Sequence, residues 1–324
     1  MVNISIIIVN WNSANYLTDC IVSIYKQTKN IKFEILVIDN GSYDGCDKIL
    51  KKEFPEVKFI QSKENIGFSR ANNLASKYSS GETLLFLNPD TLVIGAAISQ
   101  MYSFLYSTPE AGAVGCKLLN SDLSLQTSCL QAFPSIINQA LDIEYLKLLL
   151  PNLKLWGIKP LFSNKTEPTK VDVISGACIM IKREVFEKIG LFSNEYFMYS
   201  EDVDLCYKIR KNGYEVYYLN EEKIIHHGGG SSVNKKDSFF QVLLMKESRM
   251  IYFKKNKSIV YALMYKYMIL LVSLIRIMLI VSLYPIPNKF FPAQNFSYSL
   301  QKWKKVLRWS LGLESWTKEI SFKV

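Results

Sequence analysis

The first 115 residues alternate between short apolar runs and stretches of helical periodicity. The apolar runs are rich in β-branched residues and apolar on both faces, which is typical of parallel strands that helices cover on two sides. The predicted strands are residues 4–9, 35–38, 57–60 and 83–87. The predicted helices are residues 16–26, 46–53, 70–78 and 96–106. This alternation predicts an α/β fold with a doubly wound, mixed but mainly parallel sheet.

The pattern is less regular from residue 116 to residue 240. Alternation predicts a strand at residues 123–128, and a helix with a loop is expected at residues 141–161. The remaining predicted elements are a buried strand at 171–181, helices at 184–189 and 197–211, and strands at 216–219 and 224–226. Gly213 stands where a glycine commonly ends a helix. Residues 1–240 are therefore expected to form one α/β domain.

The tail, residues 241–324, is apolar, aromatic and basic. It carries 14 Lys and Arg against 3 Glu, while the rest of the chain is close to neutral. A nucleic-acid-binding protein more often carries its positive charge on the folded domain, so we expect no nucleic-acid partner. A basic tail that is also apolar predicts binding to an anionic membrane surface.

The apolar stretch at residues 258–288 contains Lys266 and Arg276, and its longest uncharged run is 12 residues. Spanning a bilayer takes about 18–20 residues. We therefore expect helices that lie in or dip into the membrane interface, with one tilted span as the alternative. An amphipathic helix at residues 301–311 supports this expectation, although such a helix also packs on ordinary domains.

Cysteine usage and the N-terminus indicate the compartment. None of the six cysteines forms a C-x-x-C pair, which favours reduced thiols in the cytosol. The sequence begins directly with a predicted strand, so no signal peptide is expected. We therefore expect the protein at the cytoplasmic face of the cell membrane.

Polar residues follow each of the first four predicted strands. The four loops are Asn10-Trp11-Asn12, Asp39-Asn40-Gly41-Ser42, Asn65-Ile66-Gly67-Phe68 and Asn88-Pro89-Asp90. Ligands of open α/β sheets bind beyond the carboxyl ends of the strands. Turn chemistry is the better explanation of any one such loop, but four in succession favour a shared ligand site.

Three groups of residues are candidates for chemistry. Asp90 is placed to bind Mg²⁺ or Mn²⁺, although Asn-Pro-Asp is also a good turn. Glu201, Asp202 and Asp204 lie at a predicted helix start, where acids are favourable in any case, but their crowding suits a general base. The adjacent pair His226 and His227 precedes a glycine-rich turn and is a candidate for a metal or phosphate contact.

Two common nucleotide-binding motifs are absent from the sequence. It contains neither G-x-G-x-x-G after a strand nor G-x-x-x-x-G-K-[ST]. This argues against a dinucleotide-dependent dehydrogenase and against a P-loop NTPase.

Taken together, these motifs resemble glycosyltransferase family 2, and within it the rhamnosyltransferase-like enzymes of cell-surface polysaccharides. The resemblance spans about residues 3–232. It rests on Ser5 to Asn12, Val37 to Ser42, Asn65 to Phe68, Ala71 to Asn73, Phe86 to Asp90, Ser175 to Ala177, Phe197 to Leu205 and His226 to Ser232. It implies a GT-A fold and transfer with inversion at the anomeric carbon.

The resemblance also implies roles for individual residues. The nucleotide-binding positions are Asn10, Asn12, Asp39, Asn40, Asn65, Gly67 and Asn72. Asp90 and His226 would approach a bound Mg²⁺ or Mn²⁺, and Asp202 would be the general base. Gln126 and Glu201 would lie on the acceptor side.

Two positions depart from the usual family pattern. Asn40 stands where many relatives have an acid, and this favours dTDP-L-rhamnose as donor, with a lipid-linked or polysaccharide hydroxyl as acceptor. Asn88 replaces the first acid of a D-x-D motif, which lowers the expected metal affinity. The alternatives are a transferase that uses a UDP-sugar, a polyprenyl-phosphate sugar synthase, a nucleotidyltransferase and a non-catalytic membrane scaffold.

Overall fold

A computed structural model describes residues 2–163, 165–228, 237–283 and 293–316. The chain divides into two compact units. The first comprises Met1–Phe133, Glu144–Phe197 and Glu201–Ser231. The second comprises Pro134–Ile143, Met198–Ser200 and Ser232–Val324.

The first unit is built on a mixed nine-stranded sheet. Its strands are β1 (Ile4–Asn10), β2 (Phe33–Asp39), β3 (Lys58–Gln61), β4 (Thr83–Leu87), β5 (Thr91–Ile94), β6 (Ala111–Leu119), β8 (Thr169–Lys170), β10 (Cys178–Lys182) and β11 (Glu215–His226). A separate pair is formed by β7 (Leu130–Gln131) and β9 (Val173–Ile174). The strand order is β3-β2-β1-β4-β10-β6-β11-β5, with β8 on β11.

Helices connect the strands of the first unit. They are α1 (Ala14–Gln27), α2 (Cys46–Glu53), α3 (Phe68–Ser76), α4 (Ala97–Ser107), α6 (Glu144–Leu149), α7 (Arg183–Lys188) and α8 (Glu201–Lys211). The second unit contains α5 (Ile136–Ala140), α9 (Asp237–Asn256), α10 (Ile259–Leu283) and α11 (Ala293–Ser310). All seven residues of β1 are buried, as expected for a strand that is covered on both faces.

Parallel pairing brings the polar strand ends to one edge of the sheet. β1 pairs in parallel with β2 and β4, and β2 pairs in parallel with β3. The register sets Asn10 beside Asp39 and Asp39 beside Gln61. The loops that the sequence singled out after these strands therefore lie at the same edge, because parallel strands share their carboxyl ends.

Three local predictions were wrong. The helix predicted at 197–211 begins at Glu201, because Tyr199 and Ser200 have left-handed φ angles of 68° and 64°. The strand predicted at 171–181 is divided into β9 and β10 by a turn, in which the Cys178 N–H donates to the Ser175 carbonyl. The stretch 123–128 makes one isolated bridge, Leu119 to Leu125, in place of a strand.

Other differences concern strands that the sequence pattern did not reveal. β5 and β6 were not predicted, and residues 216–219 and 224–226 belong to the single strand β11. β11 has a register shift between Leu219 and Lys223, so an irregularity separates its two apolar halves. Such a bulge interrupts the hydrophobic alternation without ending the strand.

The second unit has an aromatic core and one long apolar helix. The ring of Tyr265 on α10 lies 5.0 Å from Phe253 of α9 and 6.3 Å from Trp309 of α11, measured between centroids. Ile259–Ser282 is long and apolar enough to cross a membrane, with a mean hydropathy of 2.0. Only 17 % of this stretch is buried, which is unlike the core helix of a soluble domain. Residues 259–283 thus form one continuous helix, which has the length that the alternative of a single tilted span requires.

Candidate active site at the carboxyl ends of the strands

The carboxylate of Asp39 organises the loop after β2. It is fully buried and accepts hydrogen bonds from the backbone N–H of Ser42 (3.3 Å) and Tyr43 (2.8 Å). It also accepts from the Ser42 hydroxyl, from Gln61 Nε2 (2.8 Å) and from Asn10 Nδ2 (3.2 Å). A carboxylate has about four lone-pair sites, so these donors occupy its acceptor capacity. Asp39 therefore stabilises the conformation of the loop that follows β2.

Asp44 connects this loop to the start of α1. Its carboxylate accepts from the backbone N–H of Ser13 (3.0 Å) and Ala14 (2.9 Å), and Asn10 Nδ2 donates to both of its oxygens at 3.1 Å. Burial acts to raise the pKa of Asp44, but hydrogen bonds from Asn10, Ala14 and Cys46 outweigh it, so the pKa is lowered. The sequence pattern did not single out Asp44, although an Asp just before a helix is a capping signal. Asn12 lies exposed in the same turn with a φ of 51°.

Asp39, Asp44 and Cys46 also form a group whose potential ligand atoms lie within 4.8 Å of one another. N–H and hydroxyl donors already point at both carboxylates. Burial raises the pKa of the Cys46 thiol far above its usual value, and a thiol binds metals as its thiolate. A cation here would have to displace these donors, so the chemistry of the group favours a structural role.

Two asparagines join the loops after β2 and β3. Asn40 Nδ2 donates to Asn65 Oδ1 at 2.9 Å, and the Ile66 N–H donates to Asn40 Oδ1 at 3.0 Å. Asn65 Oδ1 also accepts from the Gly67 N–H at 3.0 Å. Asn72 is buried on α3 and donates to the Phe68 carbonyl of its own helix at 3.0 Å. The structure therefore brings Asn40, Asn65 and Gly67 together. The side-chain amide of Asn72, in contrast, donates its hydrogen bond inside its own helix, α3.

Gly67 packs against the backbone of Phe197. Its φ is 83° and its ψ is 164°, a region that is essentially restricted to glycine. A Cβ at this position would lie 2.5 Å from the Phe197 carbonyl oxygen. The neighbouring Phe68 N–H donates to the same carbonyl at 2.7 Å. This close approach anchors the N-terminus of α3 beside the residues that precede α8.

Replacing Gly67 with Ala is expected to destabilise the protein by at least about 2 kcal/mol, because backbone strain and a steric clash act together. Gly45→Ala is the matched control, since Gly45 also has a positive φ of 88° but has nothing within 4 Å of the added Cβ. We expect the control to cost about 1 kcal/mol. Thermal unfolding of both variants measures the difference. Equal destabilisation would show that the contact with Phe197 is unimportant.

Asp90 and His226 meet beside the end of β4. The Asp90 Oδ1 lies 3.3 Å from His226 Nε2, and Asn88 Nδ2 lies 3.2 Å from the same nitrogen. Antiparallel pairing of β5 with β11 sets His226 opposite Thr91, which brings these distant sequence positions together. Carboxylate oxygen and imidazole nitrogen are both common metal ligands. The pair therefore fits a divalent cation.

Gln126 determines which nitrogen of His226 carries the proton. Gln126 Oε1 lies 2.7 Å from His226 Nδ1, while its Nε2 donates to Asn120 Oδ1 (3.0 Å) and to the His226 carbonyl (3.4 Å). A carbonyl only accepts, so Gln126 must direct its nitrogen there and its oxygen at the ring. Neutral His226 then has its proton on Nδ1, and the lone pair of Nε2 faces Asp90. This is the tautomer that a metal ligand needs.

His227 is arranged differently from His226. Its Nδ1 lies 2.8 Å from the Ser121 hydroxyl, and its ring lies 5.5 Å from the ring of Tyr16. Its backbone N–H donates to the Asp90 carbonyl at 2.9 Å. The geometry thus favours His226 as the metal-facing histidine of the pair. Residues 229–232 of the glycine-rich turn lie outside the described residues.

The three acids of α8 have different environments. Asp204 is fully buried and accepts from the hydroxyls of Ser193 (2.5 Å) and Tyr196 (3.4 Å). Glu201 is also buried, with 6 % of its surface exposed. Asp202 is half-buried, and its Oδ2 accepts from the Gly176 N–H at 3.0 Å. Of the three, Asp202 is the acid with partial solvent access and a backbone donor that fixes its direction.

Short backbone contacts connect the Asp202 side of the site with the Asp90 side. Gly176 donates to Asp202, and the next residue, Ala177, accepts from the Asn88 N–H at 3.0 Å. Asn88 is two residues before Asp90 and contacts His226. The carboxylate of Asp202 is therefore connected, through Gly176, Ala177 and Asn88, to the candidate metal ligands Asp90 and His226 at the edge of the sheet. Trp11, which is 37 % exposed at the end of β1, adds an aromatic face to this edge.

Comparisons with known proteins found similar sequences and similar folds. The family model described as Glycosyl transferase family 2 matches residues 5–190. The low-salt glycan biosynthesis hexosyltransferase Agl10 of Haloferax volcanii is 28 % identical over 219 residues, which cover 66 % of this chain and 64 % of the relative. The N-acetylglucosaminyl-diphospho-decaprenol L-rhamnosyltransferase of Mycobacterium tuberculosis is 28 % identical over 207 residues, covering 59 % and 65 %. The aligned parts thus span slightly less than two thirds of either relative.

One further relative is named a rhamnosyltransferase, and two solved structures share the fold. Rhamnosyltransferase WbbL of Escherichia coli is 24 % identical over 229 residues, covering 66 % of this chain and 79 % of that protein. GalNAc-T7 with UDP, GalNAc and Mn²⁺ superposes with a TM-score of 0.56 at 16 % identity, over 81 % of this chain and 53 % of that one. A mannosyltransferase of Pyrobaculum calidifontis in complex with GDP-Man and Mn²⁺ gives 0.54 at 14 % identity, over 99 % and 79 %.

The family match covers more than half of the chain, and the fold is shared with solved glycosyltransferases. Proteins named as hexosyltransferases and rhamnosyltransferases are among the relatives. The chain therefore belongs to glycosyl transferase family 2 and has a GT-A fold.

Proposed function

We propose that the protein transfers a sugar, with inversion, from a nucleoside diphosphate donor to a hydroxyl of a lipid-linked or polysaccharide acceptor in cell-surface glycan synthesis. The observation that carries the proposal is the position of Asp202, held by Gly176 at the same edge as Asp90 and His226. A proton acceptor and a cation-binding pair are the two groups that such a displacement needs.

Asp202 acts as the general base in this proposal. Its carboxylate removes the proton from the acceptor hydroxyl as that oxygen forms a bond to the anomeric carbon. The bond from this carbon to the nucleoside diphosphate breaks, and its electron pair leaves with the diphosphate. The Gly176 N–H supports the role, because it holds one carboxylate oxygen and so directs the side chain.

Asp90 and His226 would hold Mg²⁺ or Mn²⁺. When bound, the cation supplies positive charge that stabilises the departing diphosphate. Asn88 contributes no carboxylate here, so the donor diphosphate would complete more of the coordination. The resemblance places Gln126 on the acceptor side. We further propose that Gln126 acts through His226, because its Oε1 accepts the hydrogen bond from the Nδ1–H of that ring.

The nucleotide would lie over the loops after β1, β2 and β3. Asn40 and Asn65 support this position because their mutual hydrogen bond joins two of the loops. Asp39 and Asn10 would act mainly by shaping the loops, since Asn10 Nδ2 donates to the carboxylate of Asp39 and also to that of Asp44. The exposed face of the Trp11 ring would stack on the nucleobase of the donor.

For the donor we propose dTDP-L-rhamnose, supported by Asn40 and by the rhamnosyltransferase names among the relatives. In a donor panel we expect hydrolysis and transfer with dTDP-L-rhamnose, and weaker activity with UDP-sugars. Calorimetry with dTDP and UDP gives an independent measurement. Tight UDP binding with none for dTDP would instead favour a UDP-sugar transferase. Transfer to a polyprenyl phosphate would favour the synthase alternative.

We propose that residues 1–240 carry the transfer reaction and that residues 241–324 associate with the inner leaflet of the cell membrane. The support is the apolar helix α10 together with the basic excess of the tail. Each basic residue near an anionic surface contributes about 1 kcal/mol. In flotation with phosphatidylglycerol vesicles we expect the full chain to float and a chain ending at Lys236 to stay soluble while it still binds nucleotide. A full chain without affinity for such vesicles would contradict this.

A further inference from the structure

A cavity of about 260 Å³ lies among the last three helices of the second unit. One face of α9 lines it with Glu247, Met250 and Lys254, which stand three and four residues apart and so share a side of the helix. Lys266 of α10 and Trp309 of α11 line it from the other two helices. Cations, carboxylate and apolar groups therefore surround one space, which we call the three-helix cavity.

Lys266 places a cation in the helix of membrane length. Its side chain is half-buried, and a Cβ added to Gly312 would lie 3.7 Å from its Nζ. Within the part of the chain that the structure describes, neither Lys266 nor Lys254 forms an ion pair or a side-chain hydrogen bond. A cation in such a helix is costly and commonly marks a functional site. The amine of Lys266 is therefore available to a ligand.

The two carboxylates that line the cavity have different partners. Glu314 pairs with Arg308, whose Nε donates to its Oε2 at 3.0 Å, so the charge of this glutamate is balanced within the unit. Glu247 is half-buried, and its Oε1 accepts from the backbone N–H of Trp316 at 3.1 Å, which is a neutral donor. Among the described residues no lysine or arginine pairs with Glu247. One anion and one cation, both half-buried, therefore line the cavity without counterions.

We propose that the three-helix cavity binds the headgroup of phosphatidylethanolamine, a membrane phospholipid that carries a phosphate and an ammonium group. Lys266 and Lys254 donate to the phosphate oxygens, and the ammonium donates to the carboxylate of Glu247. Met250 and Trp309 border the glycerol and the first methylenes of the acyl chains. The cavity has room for such a headgroup, because its volume equals that of roughly nine water molecules.

The charges favour a zwitterionic headgroup over a purely anionic one. Lys254 is exposed, so water screens its charge, whereas Lys266 and Glu247 are half-buried and have opposite signs. An anionic headgroup satisfies Lys266 but gives the carboxylate of Glu247 no positive partner, and such an unpaired charge disfavours the wrong ligand. The inference rests on the proposed association of residues 241–324 with a membrane, which supplies the lipid.

The site is tested on the full chain in detergent, with EDTA and without nucleotide. Native mass spectrometry measures binding of dioleoyl phosphatidylethanolamine and of dioleoyl phosphatidylglycerol. Lys266→Gln is expected to weaken phosphatidylethanolamine binding at least about tenfold. Lys254→Gln should weaken it severalfold, and Lys255→Gln is the matched control, because Lys255 is the exposed neighbour of Lys254 and is not among the described lining residues. Asp202→Asn should bind the lipid normally, so failure here and failure of the transfer reaction are distinguishable.

Glu247→Gln tests the zwitterion directly. It keeps an oxygen that accepts from the Trp316 N–H but loses the negative charge. We expect phosphatidylethanolamine binding to weaken at least about tenfold, while phosphatidylglycerol binding stays equal or becomes tighter. Circular dichroism confirms that each variant is folded.

The source of the headgroup is distinguished by glycerophosphoethanolamine, which has the same headgroup without acyl chains. It should bind at least about tenfold more weakly than the lipid, because the chains bury apolar surface. Equal binding of this probe and the lipid overturns the lipid source, and equal binding of the two lipids overturns the zwitterionic assignment. Absence of lipid binding by folded protein, or an equal loss in Lys254→Gln and Lys255→Gln, overturns the cavity as the site.

Discussion

Replacing Asp202 with Asn is expected to lower turnover at least about a hundredfold while donor affinity changes little. The variant keeps the size of the side chain and an oxygen that accepts from the Gly176 N–H, but it loses the proton acceptor. A positioned general base contributes about 10²–10⁴-fold to rate. Transfer rate at saturating donor and donor affinity by calorimetry measure the two quantities separately.

The other two acids of α8 provide the controls. Asp204→Asn alters a buried carboxylate that binds Ser193 and Tyr196, so we expect lower thermal stability with turnover largely kept. Glu201→Gln is expected to reduce turnover less than Asp202→Asn. If Glu201→Gln were inactive and Asp202→Asn nearly normal, the base would be Glu201 and the assignment would be wrong by one residue.

Removing the metal, or its carboxylate ligand, is expected to abolish transfer. EDTA should stop the reaction, and Mn²⁺ or Mg²⁺ should restore it. Asp90→Asn should weaken Mn²⁺ binding in the presence of nucleoside diphosphate by more than about a hundredfold, because the carboxylate charge is lost. Electron paramagnetic resonance of unbound Mn²⁺ measures this directly, without reference to activity. Full turnover in chelator would contradict the metal site.

Gln126 variants separate positioning of His226 from general loss of structure. In Gln126→Leu the side chain cannot accept a hydrogen bond from the Nδ1–H of His226. We therefore expect Mn²⁺ binding to weaken about 10–100-fold. Gln126→Glu keeps an acceptor at that point and should retain much of the affinity. Nitrogen NMR of the His226 ring reports the tautomer in each variant. If Leu and Glu weakened Mn²⁺ binding equally, with the tautomer unchanged, Gln126 would have no positioning role.

Much of the fold was predictable because local patterns and parallel pairing decide it. Short runs buried on both faces specify strands such as β1 and β4, and helical stretches between them specify the parallel arrangement. The pattern failed where the chain departs from a regular period. Because Tyr199 and Ser200 have left-handed φ angles, α8 begins after them and not at residue 197. A register shift within β11 makes one strand look like two in the sequence pattern.

The sequence by itself determined that polar loops lie together at one edge of the sheet, because the carboxyl ends of parallel strands share that edge. Only the tertiary structure decided the direction of individual side chains. It turned Asp202 toward Gly176 and Asp204 into the core, and it paired Gln126 with His226 across 100 residues of sequence. These outcomes depend on packing between distant segments, which neither residue type nor spacing encodes.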